Sequence, residues 1–438
     1  MKYFAKKLSP ARVIAFGFAA VILIGSWLLM LPCSTKNDIS LNYIDALYTS
    51  ASAVCVTGLV TIDVGTTFSA IGQFFVALLI QIGGLGVVSI GAGIIIAIRK
   101  RINLRGGVLI REASNLESGK GTIAFVKSIF FTTVTIEIIG AVFSFFVFSK
   151  DYPTLEAVGH SLFHSIASFN NSGFDNLGLS GEVNNNVSLI AYKDNVLLNL
   201  VTCSLIFFGG IGFLVIKEIT AKHFKWKKFS MHTKVVLSVS VSLIIIGTVL
   251  IKLTEDISWM GALFCSVSTR TAGFSTYSIS NFSTAGLLLI SFFMLIGASP
   301  GSTGGGIKTT TFFVLLQGIK SAATNKSEKA FKYSIPANAF KKSAVITLLA
   351  LGVIVCSTYL LVIFEPQLQL IDALFEMISA FGTVGLSTGI TPTLGTSSKL
   401  LSILIMYIGR LGPLTVATLW YFNNGERAEY PEGNIAIG

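Results

Sequence analysis

The chain is written in long apolar runs separated by short polar or basic breaks. Eight runs, near residues 12–31, 67–98, 123–148, 195–219, 233–253, 284–318, 343–364 and 399–422, carry few charges over about 20 residues, enough to cross roughly 30 Å of hydrocarbon as helix. Between the members of each pair lies a shorter apolar stretch that opens on a small residue, Leu and an aromatic ring, and ends on a glycine. Ala46-Leu47-Tyr48 leads to Val56-Thr57-Gly58, and Ser161-Leu162-Phe163 to Asn171-Ser172-Gly173. The later copies run from Ala262-Leu263-Phe264 to Thr271-Ala272-Gly273 and from Ala373-Leu374-Phe375 to Thr383-Val384-Gly385. The glycine stands 12 positions past the small residue in three copies and 11 in the third. Repetition at this depth predicts four copies of one unit: outer helix, half-crossing helix, extended re-entrant segment, inner helix. The expectation is an all-α integral membrane protein of eight transmembrane helices, its four pseudo-symmetric repeats (1–100, 101–225, 226–325, 326–438) surrounding one central pore.

Composition supports the membrane class. The 438 residues are 52% hydrophobic and 12% charged, too apolar for an ordinary soluble domain. The net charge of +11 reads as topology, not as nucleic-acid binding. Of 32 basic residues, 23 fall at the N-terminus or in three linkers, 99–127, 217–234 and 320–342, which assigns those segments and both termini to the cytoplasm. The opposite loops hold Asp38, Asp63, Asp151, Glu182, Asp194, Glu255 and Glu365, an acidic face suited to cations. The first apolar run is long enough to span and is read as a retained helix, not a cleaved signal. Five dispersed cysteines indicate neither a disulfide framework nor a metal site.

Two features break the fourfold pattern. Residues 298–310 place a proline and four glycines inside the third inner helix, where regular helix cannot continue. Irregular backbone at that depth needs protein or a water-filled cavity around it. The other inner helices share Gly83-Gly84-Leu85-Gly86 and Gly209-Gly210-Ile211-Gly212, read as close packing or a bend. The fourth has Gly409-Arg410-Leu411-Gly412, so Arg410 takes a glycine's place at mid-helix, an expensive position that marks function.

The chemistry follows from the four glycines. A selectivity filter replaces an ion's hydration shell with rings of backbone carbonyls, and glycine admits the positive φ such a ring requires. Val56, Thr57, Gly58, Asn171, Ser172, Gly173, Thr271, Ala272, Gly273, Thr383, Val384 and Gly385 are the expected filter, with pore-helix C-termini turned toward the cation. Ala298, Gly301, Gly304, Gly305, Gly306, Lys308 and Arg410, which break the pattern, are the gate that the family resemblance given below implies. Arg270 is expected to brace the filter through a carboxylate partner, and Asp45 and Asp372 to cap pore helices. A phosphate cradle at 301–308 is excluded because Ile307 separates Gly306 from Lys308. An intramembrane hydrolase would use Ser299 or Ser387, each within Gly-x-Ser-x-Gly, with His160 or His164 as base. That reading explains neither the repeats nor Arg410, and the chain is read as no enzyme.

With VTG-L, NSG-F, TAG-F and TVG-L in four repeats, the sequence resembles the Trk/Ktr/HKT superfamily of K⁺ transporters over nearly its whole length, and is most similar to its bacterial KtrB branch. The resemblance implies K⁺ uptake across the bacterial plasma membrane through the Gly58, Gly173, Gly273 and Gly385 filter, with 298–310 as intramembrane gate and Arg410 guarding the pore. It also implies a homodimer working with a cytosolic KtrA-type nucleotide-binding ring. A Na⁺-conducting or ion-coupled cation transporter on the same scaffold remains the alternative. Docking of the cytosolic partner is assigned to the basic linker 99–120.

Overall fold

The computed structural model describes residues 9–36, 39–97, 122–178, 188–336 and 338–419. The linker 99–120, the 179–187 part of the outer loop and the tail from 420 lie outside the described residues.

Four times the chain runs long helix, short helix, extended segment, interrupted helix. The outer helices are α1 (Pro10–Leu29), α6 (Thr122–Phe148), α10 (Met231–Thr254) and α14 (Asn338–Phe364), each long and apolar enough to cross a membrane by itself. They turn residues such as Phe131 and Leu348 fully outward, which hydrocarbon tolerates and water does not. Their starts follow capping chemistry: Ser9 precedes Pro10 and its Oγ accepts from the Arg12 amide, and Ser230 does the same for Thr233 in α10. The pore helices are α2 (Tyr43–Cys55), α7 (Thr154–Phe169), α11 (Trp259–Ser268) and α15 (Leu370–Gly382). Their inner turns form the core, with Tyr48, Phe264, Phe375 and Phe381 essentially inaccessible. In three repeats one serine ties pore helix to outer helix. Ser50 Oγ donates to Ile22 O at 2.7 Å, Ser165 Oγ to Glu137 O at 2.6 Å, and Ser266 Oγ to Ile244 O at 2.9 Å.

The inner helices depart from the expectation of continuous spans. The first is α4 (Ala70–Leu85) and α5 (Val87–Ala97), preceded by the short α3 (Val64–Thr67); the second is α8 (Val196–Ile211) and α9 (Phe213–Lys222), bent by 99°. The third is α12 (Thr284–Leu295) and α13 (Thr309–Thr324), and the fourth α16 (Thr396–Leu411) and α17 (Pro413–Thr418). Gly86, Gly212 and Gly412 make the breaks with nearly one conformation, φ 83°, 91° and 88°, which residues with a Cβ rarely adopt. The glycines just ahead pack tightly. A Cβ on Gly83, Gly209 or Gly409 would strike the backbone oxygen of Val54, Phe169 or Phe381, each four residues before a filter glycine. Bend and close packing are both realised, at different glycines of one motif.

The fourth repeat closes on the first. Tyr48 OH meets Ser402 Oγ at 3.0 Å, and Lys399 Nζ pairs with Asp45 Oδ1 at 2.7 Å. A small hairpin, β1 (Lys329–Ala330) with β2 (Tyr333–Ser334), occupies the linker before α14.

Candidate functional site: a ring of glycines above a buried loop

Each of the four short helices ends where the expected filter segment of its repeat begins. In repeats one, two and four the chain leaves the helix through a left-handed residue, Val56 (φ 59°), Asn171 (φ 57°) or Thr383 (φ 51°). The amides of Thr57, Ser172 and Val384 then bond back to the carbonyls of Ser52, Ala167 and Ser379 at 2.8 to 2.9 Å. Repeat three has one residue fewer and makes the turn differently. The amides of Thr271, Ala272 and Gly273 all point at Ser268 O, at 3.2, 2.8 and 3.4 Å. Ser268 Oγ donates onward to Phe274 O at 2.5 Å. The shorter spacing is thus absorbed ahead of the glycine, which keeps its register.

All four glycines adopt positive φ: 91° at Gly58, 70° at Gly173, 75° at Gly273 and 95° at Gly385. Their contacts form a closed cycle. A Cβ on Gly58 would collide with Ser172 O, one on Gly173 with Ala272 O, one on Gly273 with Val384 O, and one on Gly385 with Thr57 O. Each glycine lies against the carbonyl preceding the next repeat's glycine. Side chains are excluded there because main chain fills the space on both sides. Ser52 Oγ and Ser379 Oγ fix two corners by accepting from the Gly58 and Gly385 amides at 3.0 Å.

Cavities flank the ring. The outer one, about 110 Å³, is lined by the four glycines with Asp63 and Asp175. The inner one, about 220 Å³, is lined by Phe18, Gly84, Gly304, Lys308 and Arg410. Between ring and inner cavity lies the irregular segment 296–308. Gly305 N donates to Thr383 Oγ1 at 2.9 Å, and a Cβ on Gly304 would press on the Thr271 side chain. The segment therefore lies against Thr271 and Thr383, the first residues of two of the expected filter segments. Gly297 N bonds Ile307 O at 2.8 Å, Ser299 N bonds Gly210 O at 2.9 Å, and Thr303 Oγ1 donates to Gly209 O at 3.2 Å. Ala298, Ser299 and Thr303 are buried, while Phe213 N reaches Gly301 O at 3.0 Å. Lys308 turns back on the loop and donates to Gly304 O at 2.7 Å. Arg410 ties three carbonyls from two repeats: Nη1 donates to Thr303 O, and Nη2 to Gly83 O and Gly84 O. The residue in a glycine's place thus laces the loop to the break in the first inner helix.

Comparison with known proteins agrees with this geometry. The family described as "Cation transport protein" (TrkH) matches residues 12–255 and 234–424. The chain belongs to the TrkH family of cation transport proteins. It is 38% identical to the potassium/sodium uptake protein NtpJ of Enterococcus hirae, over 99% of this chain and 98% of that protein. It is 35% identical to the Ktr system potassium uptake protein B of Bacillus subtilis, over 99% and 97%. In three dimensions it resembles the potassium transporter TrkH of Vibrio parahaemolyticus, with a TM-score of 0.74 and 18% identity over 95% of this chain and 86% of that one.

As a TrkH-family member the chain is a multi-pass membrane transporter and not an enzyme. Ser299 Oγ meets Thr309 Oγ1 at 2.9 Å, Ser387 Oγ donates to Glu376 at 2.8 Å, and His164 Nε2 meets Thr202 Oγ1 at 2.9 Å, so each of these three side chains is engaged with a partner other than the one the hydrolase reading requires. Other expectations need correction. Arg270 is buried but bonds Ser240 O and Oγ on α10, at 3.4 and 3.5 Å, not a carboxylate. Asn42, not Asp45, caps α2, accepting from Ile44 N; Asp45 lies in the first turn and pairs with Lys399. Gln369 occupies the cap position of α15, with Asp372 in the first turn. Both acids still face a helix N-terminus, where negative charge is favoured.

Sequence reasoning missed two buried acids. Glu376 in α15 accepts from Ser387 Oγ and Thr391 Oγ1, bracing the segment that leaves the fourth filter. Glu137 in α6 accepts from Asn170 and Gln81. The available signal was an acid inside an apolar run, the same signal that singled out Arg410.

Proposed function

We propose that this protein carries K⁺ into the bacterial cell through the central ring, with the backbone carbonyls around Gly58, Gly173, Gly273 and Gly385 replacing the ion's water. The carrying observation is the closed cycle in which each glycine packs on the next repeat's carbonyl. Four uncharged oxygen donors on a rigid, buried frame suit a large, weakly hydrated monovalent cation. The pore helices direct their C-terminal dipoles at the same point. The segment 298–310 is the gate: it lies under Thr271 and Thr383 and is held by Arg410 and Lys308, so passage requires it to move. The positive side chains there bond carbonyls and leave a cationic barrier beside the inner cavity.

A second reading, Na⁺ passage or coupling on the same scaffold, is favoured by the name of the Enterococcus relative, a potassium/sodium uptake protein. The Ktr system names of other relatives support a system of several components, and we infer from the family resemblance a homodimer working with a cytosolic KtrA-type nucleotide-binding ring. The basic linkers support cytoplasmic termini in the plasma membrane. The test is K⁺ uptake in bacteria lacking their own K⁺ systems, with and without Na⁺ and with and without a co-expressed cytosolic partner. Rescue of growth at low K⁺ is expected. Na⁺ influx without K⁺ influx would replace the first reading by the second.

A further inference from the structure

Behind the second quarter of the ring lies a polar cluster outside the ion path. Glu137 is the only acidic residue of α6 and is 9% exposed. Its Oε1 accepts from Asn170 Nδ2 at 3.1 Å and its Oε2 from Gln81 Nε2 at 3.3 Å. Asn170 Nδ2 also donates to Gln81 Oε1 at 2.8 Å and to Ile166 O at 2.9 Å. Three side chains from α6, the end of α7, and α4 thus close a triangle whose donors to the carboxyl are amides, not cations.

The positions equivalent to Glu137, fixed by the repeated serine tether, are Ile22 and Ile244. An aliphatic side chain therefore serves the packing, and a carboxyl within the membrane carries a desolvation cost that packing does not explain. What differs in this quarter is what the carboxyl holds. Asn170 is the C-cap of α7 and precedes the filter residues Asn171, Ser172 and Gly173. Its Oδ1 has no hydrogen-bond donor and lies so close to Gly84 that a Cβ there would overlap it. Gly84 O in turn accepts from Arg410. The residues at Asn170's position in the other quarters are Cys55, Arg270 and Gly382.

We propose that Glu137 is a positioning residue for the filter: through Asn170 it fixes the backbone of the second quarter and thereby sets discrimination between K⁺ and Na⁺. The inference rests on the K⁺-pathway reading. Uptake by the unmodified protein tests that reading, and the ratio between variants tests the inference.

The experiment measures K⁺ and Na⁺ uptake by purified full-length protein in liposomes. In Glu137→Gln the size is kept but an amide donor faces another donor, and the K⁺ to Na⁺ ratio is expected to fall roughly fivefold, a change worth about 1 kcal/mol. The exchange Gln81→Glu with Glu137→Gln restores one carboxyl and one amide around Asn170 and is expected to return the ratio to within about twofold of the original. A merely structural glutamate would lower the melting temperature and leave the ratio alone, which overturns the proposal. So does a double exchange that folds without restoring the ratio. If Glu137→Gln alone fails to fold, the double exchange decides by the same criterion.

Discussion

The ring and the layer beneath it are made from the same four repeats and obey opposite rules. In the ring the quarters agree: four glycines share positive φ and contact one another cyclically, and even the repeat with one residue fewer recovers register before its glycine. Beneath it the quarters disagree. The first, second and fourth inner helices break at a single glycine, the third at a buried loop, and one glycine is replaced by Arg410. A coordination shell needs equivalent oxygens on all sides, so symmetry is what the proposed site of dehydration requires. An obstruction must lie on the axis and leave it again, and one loop from one repeat can do so without dismantling the other three. On the proposed reading, selection thus belongs to what the quarters share and gating to what they do not.

The sharpest way to break this contrast is to add one Cβ to the ring. Gly273→Ser meets Val384 O and forces positive φ on a residue that resists it. Strain of that kind costs on the order of 1–3 kcal/mol, and K⁺ over Na⁺ discrimination is expected to fall about tenfold or more. Flux assays giving the original ratio would remove carbonyl geometry as the basis of selection. Shortening the loop within 301–306 tests the other half. K⁺ flux is expected to rise several-fold, as when an obstruction is withdrawn, with the K⁺ to Na⁺ ratio little changed. A folded deletion variant with no flux would make the segment part of the path.

Much of the ring was legible in the sequence, because what it demands is local. The need for positive φ selects glycine at one position, and repetition reveals it four times. The irregular third inner helix was legible for the same reason, since a proline and four glycines cannot be helical. The breaks at Gly86, Gly212 and Gly412 were harder to read, because apolar composition is alike on both sides of a bend. Partners across the fold were least legible. Arg270 suggested a carboxylate and found Ser240, and Asp45 suggested a cap and found Lys399 from the last repeat. Such pairings depend on how the repeats close, which no single segment encodes.

Arg410→Ala lies on the boundary between the two layers. It frees Thr303 O, Gly83 O and Gly84 O at once. Each hydrogen bond to a charged donor contributes roughly 1.5–3 kcal/mol, so a lower melting temperature and a flux increase of about two- to fivefold are expected together. Unchanged flux with a lowered melting temperature would make the arginine a brace only. Arg410→Lys, with one compact donor group for a fork, should fall between the two.

The smallest effect belongs to the outer rim, where neither rule applies. Glu365 follows α14 and caps the last inner helix, accepting from Gly395 N at 2.7 Å and Ser398 Oγ at 2.8 Å, with Gln367 Nε2 also at 2.8 Å. The Gly395 amide, followed by the two side-chain donors, holds its carboxyl below the usual carboxylate range against the opposing cost of burial. A depressed carboxyl stabilises the fold fully above its unfolded value of about 4.3 and loses that contribution as the pH falls through the folded value. Glu365→Gln should therefore lower the melting temperature by about 1–3 °C at pH 7, with the difference shrinking only below about pH 4. The K⁺ to Na⁺ ratio should not move, because the cap contacts neither ring nor loop. A shift in that ratio would mean that the rim helps to set the filter, and the division between shared and unshared parts of the repeats would have to be redrawn one layer further out.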